Sequence, residues 1–431
     1  MNRSGEVTLH TLQNGLRLVL QADPALPLVA VNLWYHVGSK NERPGRTGFA
    51  HLFEHMLFQG SGHVGTNDHF RHIQAVGGVA NGSTWYDRTN YYETLPASRL
   101  DLGLWLESDR LGFLLDGLTS EKLETQRQVV MNERRQRVDN QPYGRASERL
   151  FELLLPEGHP YRWPVIGTME DIEAATLEDV RAFFSAFYRP GNAVLSLVGD
   201  FEPATAHEAV ECWFADLPGG PPPTRVRAPL TPLEQPTRDR LGDRVQLSRI
   251  YLAFRTESFA TGGWWAANLA ANVLADGKSS PLVEDLVVRQ ELAQDVSAYL
   301  YPTEEVGIFV VVATARPGID PERLEARLRT HLNHLTEPSP GANAPQWNLE
   351  PELDRARRRA LAALHSELQT VDHRADLLSQ YATFFDDPAR AFLEAAEIGS
   401  VGAGEIHKFA NERLRAEQCA TLVVEPAPDS R

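Results

Sequence analysis

Thr47-Gly48-Phe49-Ala50-His51-Leu52-Phe53-Glu54-His55-Met56-Leu57-Phe58 is the stretch from which the rest of the chain is read. Wound as a helix, it sets His51 and His55 one turn apart on one face, with Glu54 beside them. Two imidazoles at that spacing can both reach a single Zn²⁺ ion. A neighbouring carboxylate can take a proton from metal-bound water. The order is H-x-x-E-H, the inverse of the commoner H-E-x-x-H. The bland alternative is three surface residues on an amphipathic helix. Against it, Phe49, Leu52, Phe53, Met56, Leu57 and Phe58 surround the three, and a helix apolar on most sides is buried. Ionisable groups there require a partner, and a metal is such a partner. The stretch therefore predicts half of a zinc peptidase site.

Composition narrows the setting. A chain of 431 residues has room for two or three domains. The formal charge of −16 argues against nucleic-acid binding, which needs a basic footprint. The two cysteines, Cys212 and Cys419, are far apart and each sits among apolar residues, so both read as buried thiols rather than a disulfide. The first residues, Met1 to Glu6, show no apolar leader, and no apolar run is long enough to span a bilayer. The expectation is a soluble, cytoplasmic protein, or a periplasmic one if a leader has been removed.

Val7–Leu12 and Leu16–Leu20 flank Asn14-Gly15 and read as a hairpin. Val29–His36 reads as a strand, and Thr47 as the N-cap of the central helix. Two β-rich runs, 77–86 and 89–95, meet at Asp87-Arg88. The small residues in Val79, Ala80, Asn81, Gly82, Ser83 and Thr84 weaken a central strand but suit an edge that pairs with an extended peptide; an ordinary hairpin is the competing reading. Helices follow over 98–115 and from Thr119 or Ser120 to about Arg137. The second carries Glu121, Glu124 and Glu133, any one of which could supply the third ligand that a His pair lacks; a solvated face is the alternative for each.

Residues 217–236 are rich in proline and glycine and read as a linker. Beyond it the order of elements returns. At a spacing of 226 residues Ile172 falls on Ile398, Val180 on Ile406, Phe183 on Phe409, Arg189 on Arg415, Leu197 on Val423 and Val198 on Val424. This predicts an α+β fold of two homologous α/β-roll domains, each a largely antiparallel sheet packed by helices and related by an internal repeat. The boundaries are 1–216, a linker over 217–242, and 243–431. The early helix of the second copy, Trp264–Ala275, has no His pair.

Taken together, His51 to Phe58, Gly77-Gly78 with Asn81, Thr84, Thr89 and Tyr91, Gln126 to Glu133, Ile166-Gly167-Thr168 and Asp200 resemble the pitrilysin/insulinase family of inverted zinc peptidases. The likeness is to its half-length members, such as the mitochondrial processing peptidase β subunit and bacterial relatives. The resemblance implies His51, His55 and Glu133 as Zn²⁺ ligands, Glu54 as catalytic base, and a substrate-pairing edge strand at Val79–Trp85. It also implies peptide substrates and a chamber closed by a second two-domain subunit, either a copy of this chain or a zinc-free homologue. One departure stands out. The family usually places a supporting glutamate seven residues before the metal-ligand Glu, where this chain has Gln126; Gln keeps shape and hydrogen bonding but loses charge, and such changes behind a metal cost about 10–100-fold in affinity or activity. The rival functions are a non-catalytic assembly subunit of the same fold and a peptide-binding module that does not cleave.

Overall fold

The computed structural model describes residues 5–336 and 345–427. Each half of the repeat builds one sheet. In the first, β1 (Val7–Thr11), β2 (Arg17–Ala22), β3 (Leu28–Tyr35), β4 (Val79–Thr84), β5 (Thr89–Pro96) and β6 (Ala193–Gly199) lie in the order β1-β2-β6-β3-β5-β4. In the second, β7 (Thr237–Asp243), β8 (Arg249–Thr256), β9 (Ala293–Tyr301), β10 (Gly307–Ala315) and β11 (Ala420–Pro426) lie in the order β7-β11-β8-β10-β9. β2 runs parallel to β6, and β7 parallel to β11; every other pairing is antiparallel. Apart from β1, the second sheet repeats the first strand for strand. The helices Leu177–Phe187 and Ala403–Arg413 start and stop at equivalent positions of the 226-residue repeat. β7 begins at Thr237, inside the stretch read as linker, because its alternating exposure gives no continuous apolar run.

The predicted hairpin turn forms, with the Gly15 N–H donating to the Leu12 carbonyl and Gly15 at φ 92°. The predicted strand and helices around the motif also form: β3, α1 (Phe49–Met56), α3 (Leu100–Gly117) and α4 (Ser120–Arg134); a short helix, α2 (Asp68–Ala75), lies between α1 and β4. The core of the first unit joins Leu16, Leu18, Val31, Leu33, Leu195 and Leu197 of the sheet to Leu52, Phe53 and Met56 of α1. Cys419 is buried as expected, but Cys212 is exposed on the outer side of the helix Pro203–Phe214, whose buried residues are Ala206, Val210 and Phe214.

The compact units are discontinuous in sequence. One comprises residues 1–134, 163–226 and 365–393; the other 135–162, 227–364 and 394–431. The halves 1–216 and 243–431 thus differ from the compact units by two exchanged segments. The exchange is reciprocal: helix Ala146–Leu154 packs on β7, β8 and β11, whereas helix Val371–Phe385, which contains its equivalent at the same 226-residue spacing, packs on β3 and β6. Side-chain bonds fix each choice. Asp376 Oδ1 accepts from Trp34 Nε1 at 2.8 Å and Asn90 Nδ2 at 3.0 Å in the first unit. In the second, Arg149 Nε reaches Asp239 at 2.6 Å. An amphipathic helix face does not encode which of two similar sheets it covers.

Candidate metal centre

α1 starts at a glycine by necessity. Gly48 lies at φ 83°, and a Cβ there would sit 2.6 Å from the Ile166 carbonyl oxygen. Thr47 does not cap the helix. The Glu42 carboxylate does, accepting from Gly48 N at 2.9 Å and Ala50 N at 2.7 Å. Thr47 turns away and donates through N and Oγ1 to Asp171 Oδ2, at 2.9 and 2.6 Å. Its Oγ1 also accepts from Thr168 N at 3.1 Å. Gly167, at φ 77°, packs its backbone directly on Gly48. Its carbonyl accepts from Arg134 Nη1 at 2.7 Å, next to Glu133 on α4. The Ile166-Gly167-Thr168 turn therefore pins both helices that bear the candidate ligands. Glu42 gives no signal in the sequence, because a cap six residues upstream of Gly48 leaves no periodic pattern.

The structure brings His51, His55 and Glu133 together, with one ligand atom of each within 4.8 Å of the others. Glu133 Oε2 is 3.3 Å from His55 Nε2 and 3.8 Å from His51 Nε2. Of the three acids on α4, Glu133 alone is in this cluster. The side chains are 13, 23 and 16% exposed for His51, His55 and Glu133, so the cluster is sheltered yet reachable. Two imidazole nitrogens and a carboxylate oxygen form the donor set of a three-ligand catalytic zinc site. Gln126 is buried on α4, two turns before Glu133.

Glu54 stands beside the cluster, and Thr84 Oγ1 donates to its Oε2 at 2.7 Å. Burial raises its carboxyl above the ordinary range, opposed by the Thr84 hydrogen bond, His55 and Arg88 and reinforced by Glu133. Thr84 belongs to β4, which among the described residues is the outermost strand of its sheet and pairs only with β5. Ala80, Gly82 and Thr84 face the α1 side; Asn81 and Ser83 face the other. Val79 opens the strand and is 68% exposed. Arg88 Nη1 donates to the Ser83 carbonyl at 2.9 Å and holds the far end of the strand. The contact from Thr84 to Glu54 was not foreseen; a register count across the Asp87-Arg88 turn could have placed Thr84 on the same face as Tyr91, but not on Glu54.

Fold and site together give the arrangement of an inverted zinc-peptidase family: a domain bearing the His51, His55 and Glu133 cluster, followed by a similar domain that has no such histidine pair on the equivalent helix. Two models of one family match: insulinase (peptidase family M16) over residues 17–158, and the peptidase M16 inactive domain over residues 174–342. The chain belongs to the M16, or pitrilysin/insulinase, family. It is 28% identical over 429 residues to the zinc protease PqqE of Helicobacter pylori, covering 96% of this chain and 92% of that protein. The crystal structure of a protease from Helicobacter pylori superposes with a TM-score of 0.89 at 27% identity, covering 98% and 100% of the two chains. The periplasmic protease PqqL from Escherichia coli shares the fold at a TM-score of 0.75 and 16% identity; here 99% of this chain covers 48% of the larger one. Among the described residues no helix is long and apolar enough to cross a membrane.

Proposed function

We propose that the chain is a zinc metalloendopeptidase that hydrolyses extended peptides or unfolded segments. The meeting of His51, His55 and Glu133 beside a Glu54 held by the edge strand carries this reading. Zn²⁺ held by these three side chains would supply a Lewis acid toward water and the scissile carbonyl. Glu54 takes the proton of the attacking water and returns it to the leaving amine; a carboxyl raised by burial toward neutrality suits that shuttle. The peptide adds as a strand to β4 along Val79–Thr84, held by main-chain hydrogen bonds. Thr84 joins the two functions, since one residue of the binding strand orients the base.

A second two-domain subunit, a copy of this chain or a zinc-free homologue, closes the chamber in this reading. Coverage of about half of the larger periplasmic protease supports it. The test is Glu54→Gln in the purified chain, assayed on an unstructured peptide alone and with candidate partners while solution mass is measured. The variant keeps zinc and loses hydrolysis. Loss of zinc, or undiminished turnover, overturns the role given to Glu54.

A further inference from the structure

Behind the edge strand the first unit encloses a group of ionisable side chains that the reaction above does not use. Glu93 on β5, Glu107 and Arg110 on α3 and His69 on α2 are all at most 4% exposed. Ligand atoms of His69, Glu93 and Glu107 lie within 4.8 Å of one another, a spacing a metal could exploit. A cation is already present, however, because Arg110 Nη2 donates to Glu107 Oε1. Both oxygens of Glu93, Oε2 of Glu107 and Nε2 of His69 have no hydrogen-bond partner. Two carboxylates against one guanidinium leave one negative charge in excess, which the interior does not tolerate. One proton cancels it, whereas a divalent ion would leave a net positive charge. Glu107 is the carboxylate that Arg110 bonds, so Glu93, neither of whose oxygens has a partner, is the holder of that proton; burial and the Glu107 charge, which raise its carboxyl well above the ordinary range, agree.

The group touches the proposed binding strand through two rings. Across the β4–β5 ladder Ala80 lies opposite Glu93 and Gly82 opposite Tyr91. The Arg110 guanidinium lies 4.2 Å from the Tyr91 ring centre and 5.1 Å from that of Phe58. A Cβ on Gly82 would come within 3.1 Å of both rings and 3.3 Å of Glu54 Cγ. We propose that Glu93, Glu107 and Arg110 form a one-proton charge network in which Glu93 is neutral and Glu107 pairs with Arg110, and that Arg110 is a positioning residue holding the Tyr91–Phe58 floor under the peptide strand. The positioning role rests on the peptidase reading; the charge assignment does not.

Two measurements on the full chain test it. Thermal melting with metal analysis compares the wild type, Glu93→Gln and Glu107→Gln. Glu93→Gln, an isostere of the protonated acid, melts within about 2 °C of the wild type, whereas Glu107→Gln, which strands Arg110, melts lower by roughly 5 °C or more. Both keep one zinc per chain. Equal penalties, or a second metal ion in the wild type that Glu93→Gln loses, overturn the charge assignment. Peptide kinetics then use Glu107→Leu/Arg110→Met, which removes both charges at similar volume and so retains the fold. Its KM rises about tenfold with kcat less affected and zinc retained, and an unchanged KM overturns the positioning role. A wild-type chain that cleaves no peptide in any partner combination refutes the peptidase reading and the positioning role with it, while the melting comparison still decides the network.

Discussion

In the proposed mechanism, Thr84→Val isolates the link between the proposed binding strand and the proposed base. The substitution keeps the β-branched shape and removes one hydroxyl, which donates to Glu54 Oε2 at 2.7 Å. A hydrogen bond to a charged group is worth about 1.5–3 kcal/mol, which corresponds to roughly 10–100-fold in rate when it is lost from the reacting form. Thr84 is half-buried, so water can replace part of the bond and the loss falls toward the lower end. The pH dependence gives a sharper signature. The Thr84 bond lowers the Glu54 pKa, so removing it raises that pKa further. The base is then ionised only at higher pH, and the acid limb of kcat/KM moves up while the alkaline limb stays in place. Zinc content and KM change little, because neither the ligands nor the strand backbone is touched. The assay is a pH series of kcat/KM on an unstructured peptide, with metal analysis of the same samples. An unshifted acid limb with full activity would refute the orientation of Glu54 by Thr84. Loss of zinc would show that the hydroxyl supports the metal cluster instead.

Three further outcomes are expected elsewhere in the chain. Glu42→Ala removes the carboxylate that caps α1 and weakens the helix carrying His51 and His55 by about 1–2 kcal/mol, read as a roughly tenfold loss of zinc in a chelator competition. Lys40→Met breaks the ion pair to Asp87, 2.9 Å apart with side chains 2 and 1% exposed, and costs about 3–5 kcal/mol in denaturant unfolding; Lys40→Met/Asp87→Leu recovers most of it. Burial and Arg255 lower His159 to about 4. The unfolded chain takes up this proton near pH 6.5 and the folded chain only near 4, so the stability is complete above about 6.5 and falls as pH drops through that window. The slope is shallow because the ring is partly solvated, and His159→Asn flattens the urea midpoint across the same range.

The elements legible in the sequence are those whose signal is local. The H-x-x-E-H helix, the Asn14-Gly15 hairpin and the run of small residues in the edge strand each follow from neighbouring residues. The repeat was visible because helix Leu177–Phe187 and its copy keep their apolar positions at fixed spacing. What escaped is non-local. Glu42 caps a helix from outside its register, Asp171 takes Thr47 away from the cap position, and Glu54 meets Thr84 across thirty residues. The exchange of helices Ala146–Leu154 and Val371–Phe385 escaped for another reason. Their apolar faces satisfy either sheet, and only specific pairs such as Asp376 with Trp34 choose between them. The buried Glu93, Glu107 and Arg110 looked like ordinary charges in a strand and a helix, because burial is a property of the packed sheet and not of the residue type.

The two copies share a backbone and differ in what one helix is made of. After β3 the first copy enters α1 through Gly48 at φ 83°; after β8 the second enters helix Trp264–Ala275 through Gly263 at φ 88°. Aligned on these glycines, the positions of His51, Glu54 and His55 are taken by Ala266, Leu269 and Ala270, all buried. The second helix has no ionisable side chain along its length and packs eight of its residues inside. α1 keeps His51, Glu54 and His55 only partly covered, on the side that faces β4 and α4. Histidines at positions 266 and 270 would bury two imidazoles on a helix with no ionisable side chain, at a cost the apolar packing does not offset. The asymmetry is therefore one of burial: in the first copy part of the helix is an open, polar face, and in the second the same face is alanine and leucine packed inside.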